Sequence, residues 1–462
     1  MMSPTTSGLA RFTQLHESPA AVALWHRWLG PIIRWSNPGR RRLLLAAGAV
    51  AVAVKRPFET LAGANSLGAP ADPAGAGLIV VLLVLVAWLC YRAALAFKSL
   101  PEPIRRRPQI TLHAIYWALL ALLWWAAPAG SLWRSVLIGL AVTMPFLLWR
   151  CGYLLLSGQR GRALGTRFSD HMIYLFPVWG GSNTPYGKGL DYLARHEAQT
   201  EEELARSHLA GLKLFVLAGL WYLAADVMNG AVYGSDKHAL TSALGGNALG
   251  IPRLSNLLAG REAAPLALAW MSLYAELVYQ VLRHAAEGHI IIGVLRLFGF
   301  NVFRNTYKPL LAESIQAFWN RYYYYFKELM SELFFMPTFA RRFKAWPRLR
   351  LFAAVLAAAF LGNAYYHLFL REELIVAGDA LALWNAFNSR VFYCFLLAVG
   401  IFVSMLREQA RAGQAPAGGL MRRGVRILGV WTFFALIYIW NAKGGAGFGA
   451  RTEFFLGLFG LG

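Results

Sequence analysis

The chain has 462 residues, of which 57% are hydrophobic and 15% charged. A soluble domain carries about 25% charged residues, so this composition excludes an ordinary water-soluble globule. The formal charge of +22 does not call for nucleic acid, because Lys and Arg gather between apolar stretches, as the positive-inside rule requires.

Residues 1–39 read as a peripheral N-terminal segment. With His16, Glu17, His26 and several Arg it is too polar for a cleavable signal peptide. Residues 40–462 read as a single polytopic membrane domain. A span needs about 20 mostly apolar residues. Stretches of that kind fall at 78–97, 132–149, 209–228, 265–282, 350–369, 391–406 and 425–441, with shorter ones at 43–54, 112–127 and 454–461. The expectation is an all-α, polytopic membrane protein with roughly nine to eleven transmembrane or re-entrant helices. Basic clusters at Arg40-Arg41-Arg42, Arg105-Arg106-Arg107, 160–167, 341–350 and 407–426 mark its cytoplasmic side. The cysteines Cys90, Cys151 and Cys394 are far apart in sequence and read as apolar packing residues rather than disulfide or metal ligands.

Residues 191–207 are polar and helix-forming, whereas 229–262, rich in Gly, Asn and Ser, read as a loop. Residues 311–336 show helical spacing: Glu313, Gln316, Asn320, Tyr323 and Lys327 on one side, and Ile315, Phe318, Trp319, Tyr322, Phe326, Leu329 and Leu333 on the other. This predicts one amphipathic helix bounded by Pro309 and Pro337, lying in the interface or lining a wet cavity. Its run Tyr322–Tyr325 suits the level of the headgroups.

Ionisable residues in apolar runs are costly and are functional candidates by default. His367, after 351–361, is the foremost, since imidazole takes and returns a proton near neutral pH; a structural histidine bonded to a neighbouring helix is the alternative. Asp226, Glu276, His284, Glu287 and His289 are others. The five-residue spacing of His284 and His289 turns their rings to different faces, so no metal is expected. Asn363, Asn385 and Asn388 are polar neighbours of the His367 region. No phosphate-binding loop and no Gly-x-Ser-x-Gly elbow occurs.

Four pieces taken in order resemble the membrane-bound O-acyltransferase (MBOAT) superfamily, nearest its bacterial alginate O-acetylation and D-alanine-transfer branch. They are Tyr174-Leu175-Phe176-Pro177 with 180–185; Gly211-Leu212-Lys213-Leu214-Phe215 with Ala225-Asp226; Glu287-Gly288-His289 through Arg296-Leu297-Phe298-Gly299-Phe300, running on to 314–323; and Tyr365-Tyr366-His367. The likeness covers about 168–404. It implies a helical bundle around a tunnel and, as function, O-acyl transfer from a thioester donor, acyl-CoA or an acyl carrier protein, to a hydroxyl of an envelope glycan or lipid acceptor. No metal or nucleic acid enters. A bacterial inner-membrane location follows from the same likeness. His367 stands where the family has its essential histidine and would be the general base. Tyr323 stands where the branch has a second histidine; Tyr323 and Asn320 would serve the oxyanion, and Asn363, one turn before His367, would orient it. Tyr366, Trp319, Arg321 and Asn388 complete the candidate binding residues. The chain departs from the family at Tyr323, at Leu368 in place of Gly, at Trp221-Tyr222 in place of paired lysines, and at Asn385…Asn388-Ser389. The alternative functions are a transporter or flippase of an envelope intermediate, which calls for repeats that the sequence lacks, and a catalytically silent scaffold.

Overall fold

The computed structural model describes residues 14–70, 72–161, 166–175, 190–234, 249–411 and 419–461. Among these the architecture is all-helical, with no strand beyond an isolated bridge between Glu197 and Phe300. Four helical stretches are long and apolar enough to cross a bilayer: Pro73–Leu95, Glu201–Val232, Pro347–Ala377 and Ala380–Arg411. The pair Leu132–Thr143 and Leu147–Gln159, bent by 70°, makes a fifth if it counts as one span. These are fewer than the nine to eleven segments that apolar content suggests. The other apolar stretches form helices that are too short or too rich in polar residues to reach the same threshold. The chain gathers into two compact units, one of Met1–Ala218 with Glu287–Asn305, the other of Gly219–Ala286 with Thr306–Gly462.

The first unit begins with α1 (Pro19–Trp35), α2 (Pro38–Gly63) and α3 (Pro73–Leu95). Each has proline in its first turn, where the missing N–H costs nothing. Asn37 and Asp72 cap α2 and α3 by accepting from Arg40 N and Gly75 N. Then come α4 (Pro108–Trp125), α5 (Leu132–Thr143), α6 (Pro145–Gln159) and the short α7 (Phe168–Leu175). Buried Tyr116 of α4 donates to the Ala141 carbonyl of α5 at 2.8 Å. Gly158 of α6 lets that helix lie against the backbone of Ala94 in α3. Cys90 and Cys151, far apart in sequence, are brought together here as buried free thiols in side-chain contact.

Buried Glu197 accepts from Nε and Nη2 of Arg42. Arg41, also buried, donates to the carbonyls of Ser36 and Ala198. Gly299 sits beside Arg41 at a φ of 85°, with no room for a Cβ. Two long helices follow, α8 (Glu201–Val227, continuing as a π turn, Met228–Val232) and α9 (Leu266–Leu297). They cross at Gly211 and Gly293, glycines of the second and third motif pieces. A Cβ on Gly211 would stand 2.9 Å from the Gly293 carbonyl oxygen.

The second unit adds α10 (Ile315–Tyr322), α11 (Tyr324–Met330), α12 (Pro347–Val355), α13 (Asn363–Leu368), α14 (Ala380–Arg411), α15 (Leu420–Tyr438) and α16 (Phe448–Gly457). The single helix expected over 311–336 is therefore broken at Tyr323, and Pro337 falls in the first turn of a further helical piece, Met336–Arg341, rather than ending the run. π turns occupy Ser331–Phe335 and Leu356–Gly362 and meet where Phe334 lies on Gly362. Such turns recur at functional sites. Glu313 pairs with Arg423 at 3.0 Å and Arg426 at 2.6 Å, and Trp431 donates to the Leu310 carbonyl at 2.9 Å. Buried Arg451 donates to the carbonyls of Ile439, Ala442 and Ala446, tying α16 to the turn that follows α15.

Gly211→Leu is expected to lower the thermal midpoint of the detergent-solubilised protein, at a cost of about 1–3 kcal/mol, because the crossing has no slack. A second outcome concerns pH. Buried His171 of α7 bonds Thr166 Oγ1 through Nε2 at 2.7 Å. Burial lowers its pKa to about 4, against the pull of Asp170 and Asp191. An unfolded histidine titrates near 6.5. Its stabilising effect is thus complete above about pH 6.5 and is lost as pH falls towards about 4. Melting curves of His171→Gln should lose that part of the acid sensitivity.

Candidate functional site

The site in the second unit is built around the break between α10 and α11. Ser314 caps α10 by accepting from Ala317 N at 3.1 Å. Inside α10, the Gln316 N–H donates to Ser404 Oγ of α14 at 3.2 Å. At the other end the segment 306–311 doubles back. Tyr307 N donates to the Arg321 carbonyl at 2.7 Å, Thr306 Oγ1 to the Tyr322 carbonyl at 3.0 Å, and Arg321 Nη1 to the Leu311 carbonyl at 3.2 Å. Carbonyls that a helix end would leave orphaned are thereby satisfied. Tyr323, at φ −127° and ψ 60°, leaves helical geometry.

A cavity of about 210 Å³ opens beside this break. Trp319, Tyr322 and Tyr323 line it from the broken helix, and Gln280 from α9. Arg390 and Tyr393 contribute from α14, with Tyr438, Asn441 and Lys443 at the end of α15. Leu277, Phe318 and Phe434 form its apolar wall, where Phe318 and Phe434 stack at 3.9 Å. Two cations and no carboxylate are among the lining residues. The Tyr322 hydroxyl donates to the Gln280 carbonyl at 3.4 Å. His284 packs its ring on Tyr323 at 4.3 Å and on Tyr322 at 4.8 Å. Such a surface offers phenolic donors and positive charge to a ligand oxyanion, with an apolar wall for its carbon part.

Gln280 is held from behind. Its Nε2 donates to Glu276 Oε1 at 2.7 Å, and Glu276 Oε2 accepts from Tyr233 at 3.4 Å and lies 3.7 Å from Arg253 Nη1. The Arg253 guanidinium is sandwiched between Tyr233, at 3.6 Å, and Tyr279, at 4.4 Å, and donates to Asn229 in the Met228–Val232 π turn. Glu276 thus has a structural partner set, and it holds the Gln280 side chain at the cavity wall.

Of the residues named from sequence, Tyr323 and Trp319 line the cavity, and His367 does not. The His367 ring instead meets Phe326 of α11 at 6.1 Å, and Phe326 also meets Tyr323 at 6.3 Å and Tyr366 at 4.9 Å. Phe326 therefore packs against both His367 and Tyr323. Arg390 and Arg371 are the charged neighbours of His367. Asn363 is fully buried and its carboxamide has no hydrogen-bond partner, so it does not orient His367 by a bond, although both lie in α13. Asn320 is half-buried, Arg321 is exposed with its guanidinium on the Leu311 carbonyl, and Asn388 accepts from Ser389 at 3.3 Å. No group of three His, Cys, Asp or Glu side chains suited to a metal forms among the described residues. Residues 176–189, which hold most of the first motif piece, lie outside the described residues.

Sequence reasoning missed Gln280, Arg390, Tyr393 and Tyr438. Only Arg390 left a trace, as a cation set immediately before the apolar run 391–406. His284, a metal-ligand type by residue, is a ring partner of Tyr323. Compared with family models and with curated proteins, the chain matches none.

Arg253→Met should leave Glu276 as a buried, unpaired carboxylate and lower stability by about 3 kcal/mol. The double variant Arg253→Met/Glu276→Gln should lose less than the sum of the single losses, which a thermodynamic cycle in detergent would read out.

Proposed function

We propose that the chain is a membrane O-acyltransferase that moves an acyl group from a thioester donor to a hydroxyl of an envelope glycan or lipid acceptor. The donor would be acyl-CoA or an acyl carrier protein. The reading rests on the motif order together with one observation: Phe326 joins His367 on one side to Tyr323, at a helix break facing a polar cavity, on the other. On this reading the reacting carbonyl sits beside Phe326. His367 takes the proton of the acceptor hydroxyl as its oxygen bonds the thioester carbon. Tyr323 donates to the oxygen that gains charge, with Arg390 adding positive potential from the far wall. Collapse of the tetrahedral adduct breaks the carbon–sulfur bond; the thiolate leaves and recovers a proton, and the ester remains. A general base of this kind contributes about 10²–10⁴-fold, and one oxyanion donor about 10²–10³-fold. The bundle would enclose a tunnel, and the protein would sit in a bacterial inner membrane.

His367→Ala should abolish ester formation, seen by mass spectrometry of envelope extracts, while membrane abundance stays at the wild-type level. Tyr323→Phe should lower turnover by about 10²-fold if its hydroxyl serves the oxyanion. Normal esters in the His367→Ala strain would refute the assignment of the base.

A further inference from the structure

The first helix has two apolar faces. Val22 and Ile33 are buried against Ala198, Leu204 and Ala205, with Trp25 and Leu29 packed alongside. Opposite them Leu24, Trp28, Ile32 and Trp35 stand 47%, 70%, 55% and 53% exposed. At 3.6 residues per turn these four fall within about 80° of the helix circumference. A solvent-facing stripe holding two tryptophans is an unusual cost for a monomer unless something covers it.

Position and charge indicate what covers it. Leu204 and Ala205 belong to the first turns of α8, one of the stretches long and apolar enough to span a membrane. Glu201, Glu202 and Glu203, at that end, are exposed. His26 of α1 bonds Glu201 at 2.6 Å, and Trp25 Nε1 donates to His208 Nδ1 at 3.4 Å. So α1 is moored to the polar end of a span, which is where the headgroups begin. Exposed Arg27 and Arg34 lie on one flank of the stripe, Arg40 lies over Trp35 at 5.4 Å, and α1 contains no acid. Tryptophans on an apolar face bordered by arginines match the chemistry of an anionic lipid surface.

We propose that α1 is an interfacial helix that lies in the plane of the membrane, with Leu24, Trp28, Ile32 and Trp35 below anionic headgroups and Arg27 and Arg34 among them. The assignment does not depend on the acyl-transfer reading. It is tested with the full chain reconstituted in phosphatidylcholine vesicles with and without phosphatidylglycerol. A nitroxide is placed by Trp28→Cys or Ile32→Cys, and by Glu17→Cys as a control; the native cysteines are buried. The expected result with phosphatidylglycerol is that oxygen relaxes the labels at 28 and 32 more than a water-soluble nickel chelate does, with the reverse at 17. Those labels should move towards water when phosphatidylglycerol is omitted, or when Arg27→Glu and Arg34→Glu are introduced. Labels at 28 and 32 that the chelate reaches as readily as the label at 17, or whose depth is the same in both lipids, would overturn the proposal.

Discussion

The second unit depends on one constraint: the backbone breaks at Tyr323, and in an apolar surrounding no carbonyl released by a break can be left unpaired. Each unsatisfied backbone group buried away from water costs as much as a lost hydrogen bond or more. The segment 306–311 meets that demand by bonding to the carbonyls of Arg321, Tyr322 and, through the Arg321 side chain, its own Leu311. With the end of α10 secured, the following turn is free to redirect Tyr323 out of the amphipathic pattern. The phenol reaches the cavity because the chain stops being a helix there, and it is packed by His284 as well as by Trp319.

The cavity is polar for a related reason. Its walls come from the end of α10, from the middle of α9, from α14 and from α15 with the turn after it, and the α9 wall is braced by a network behind it. Gln280 is fixed by Glu276, Glu276 by Arg253 and Tyr233, and Arg253 by Asn229 in a π turn. A π turn widens the helix and frees a backbone group, so it is a natural anchor for such a chain of bonds. Arg390 differs from Arg253: it faces the cavity, with Tyr393 at 5.9 Å and no carboxylate in the lining. A cation facing a cavity in a membrane protein is a candidate to meet negative charge on a ligand. The two arginines thus differ in surroundings: Arg253 is held by Glu276, Asn229 and two tyrosine rings, and Arg390 lines the cavity.

Much of this was legible in the sequence, and the gaps have physical causes. Apolar run lengths indicate an all-helical membrane protein, because lipid tolerates few other backbones. Periodicity correctly placed Phe318 and Phe326 on the buried side of the 311–336 segment. It could not foresee the break at Tyr323, since the pairing that permits it comes from Thr306 and Tyr307, outside the segment. Spacing sets Asn363 one turn before His367, and the two do share a helical piece, but neighbourhood along a helix does not make a bond: the Asn363 carboxamide has no hydrogen-bond partner. The adjacency of Cys90 and Cys151 and of His284 and Tyr323 arises from packing between helices, which spacing along one helix does not encode.

On the proposed acyl-transfer reading, a tyrosine at position 323 is chemically workable where the resembled family has a histidine. A histidine at that place would supply one hydrogen-bond donor on a compact ring. A phenol supplies one donor too, farther from its Cα, and therefore calls for a backbone set back from the reacting atoms. The non-helical turn at Tyr323 moves the backbone out of line, and His284 fills space against its ring. Phe326 packs on both this phenol and His367, and on the same reading it would help to exclude water that competes for an acyl group. On that reading Tyr323, the break that redirects it and Phe326 act as one unit, so that straightening the break would withdraw the phenol from the cavity.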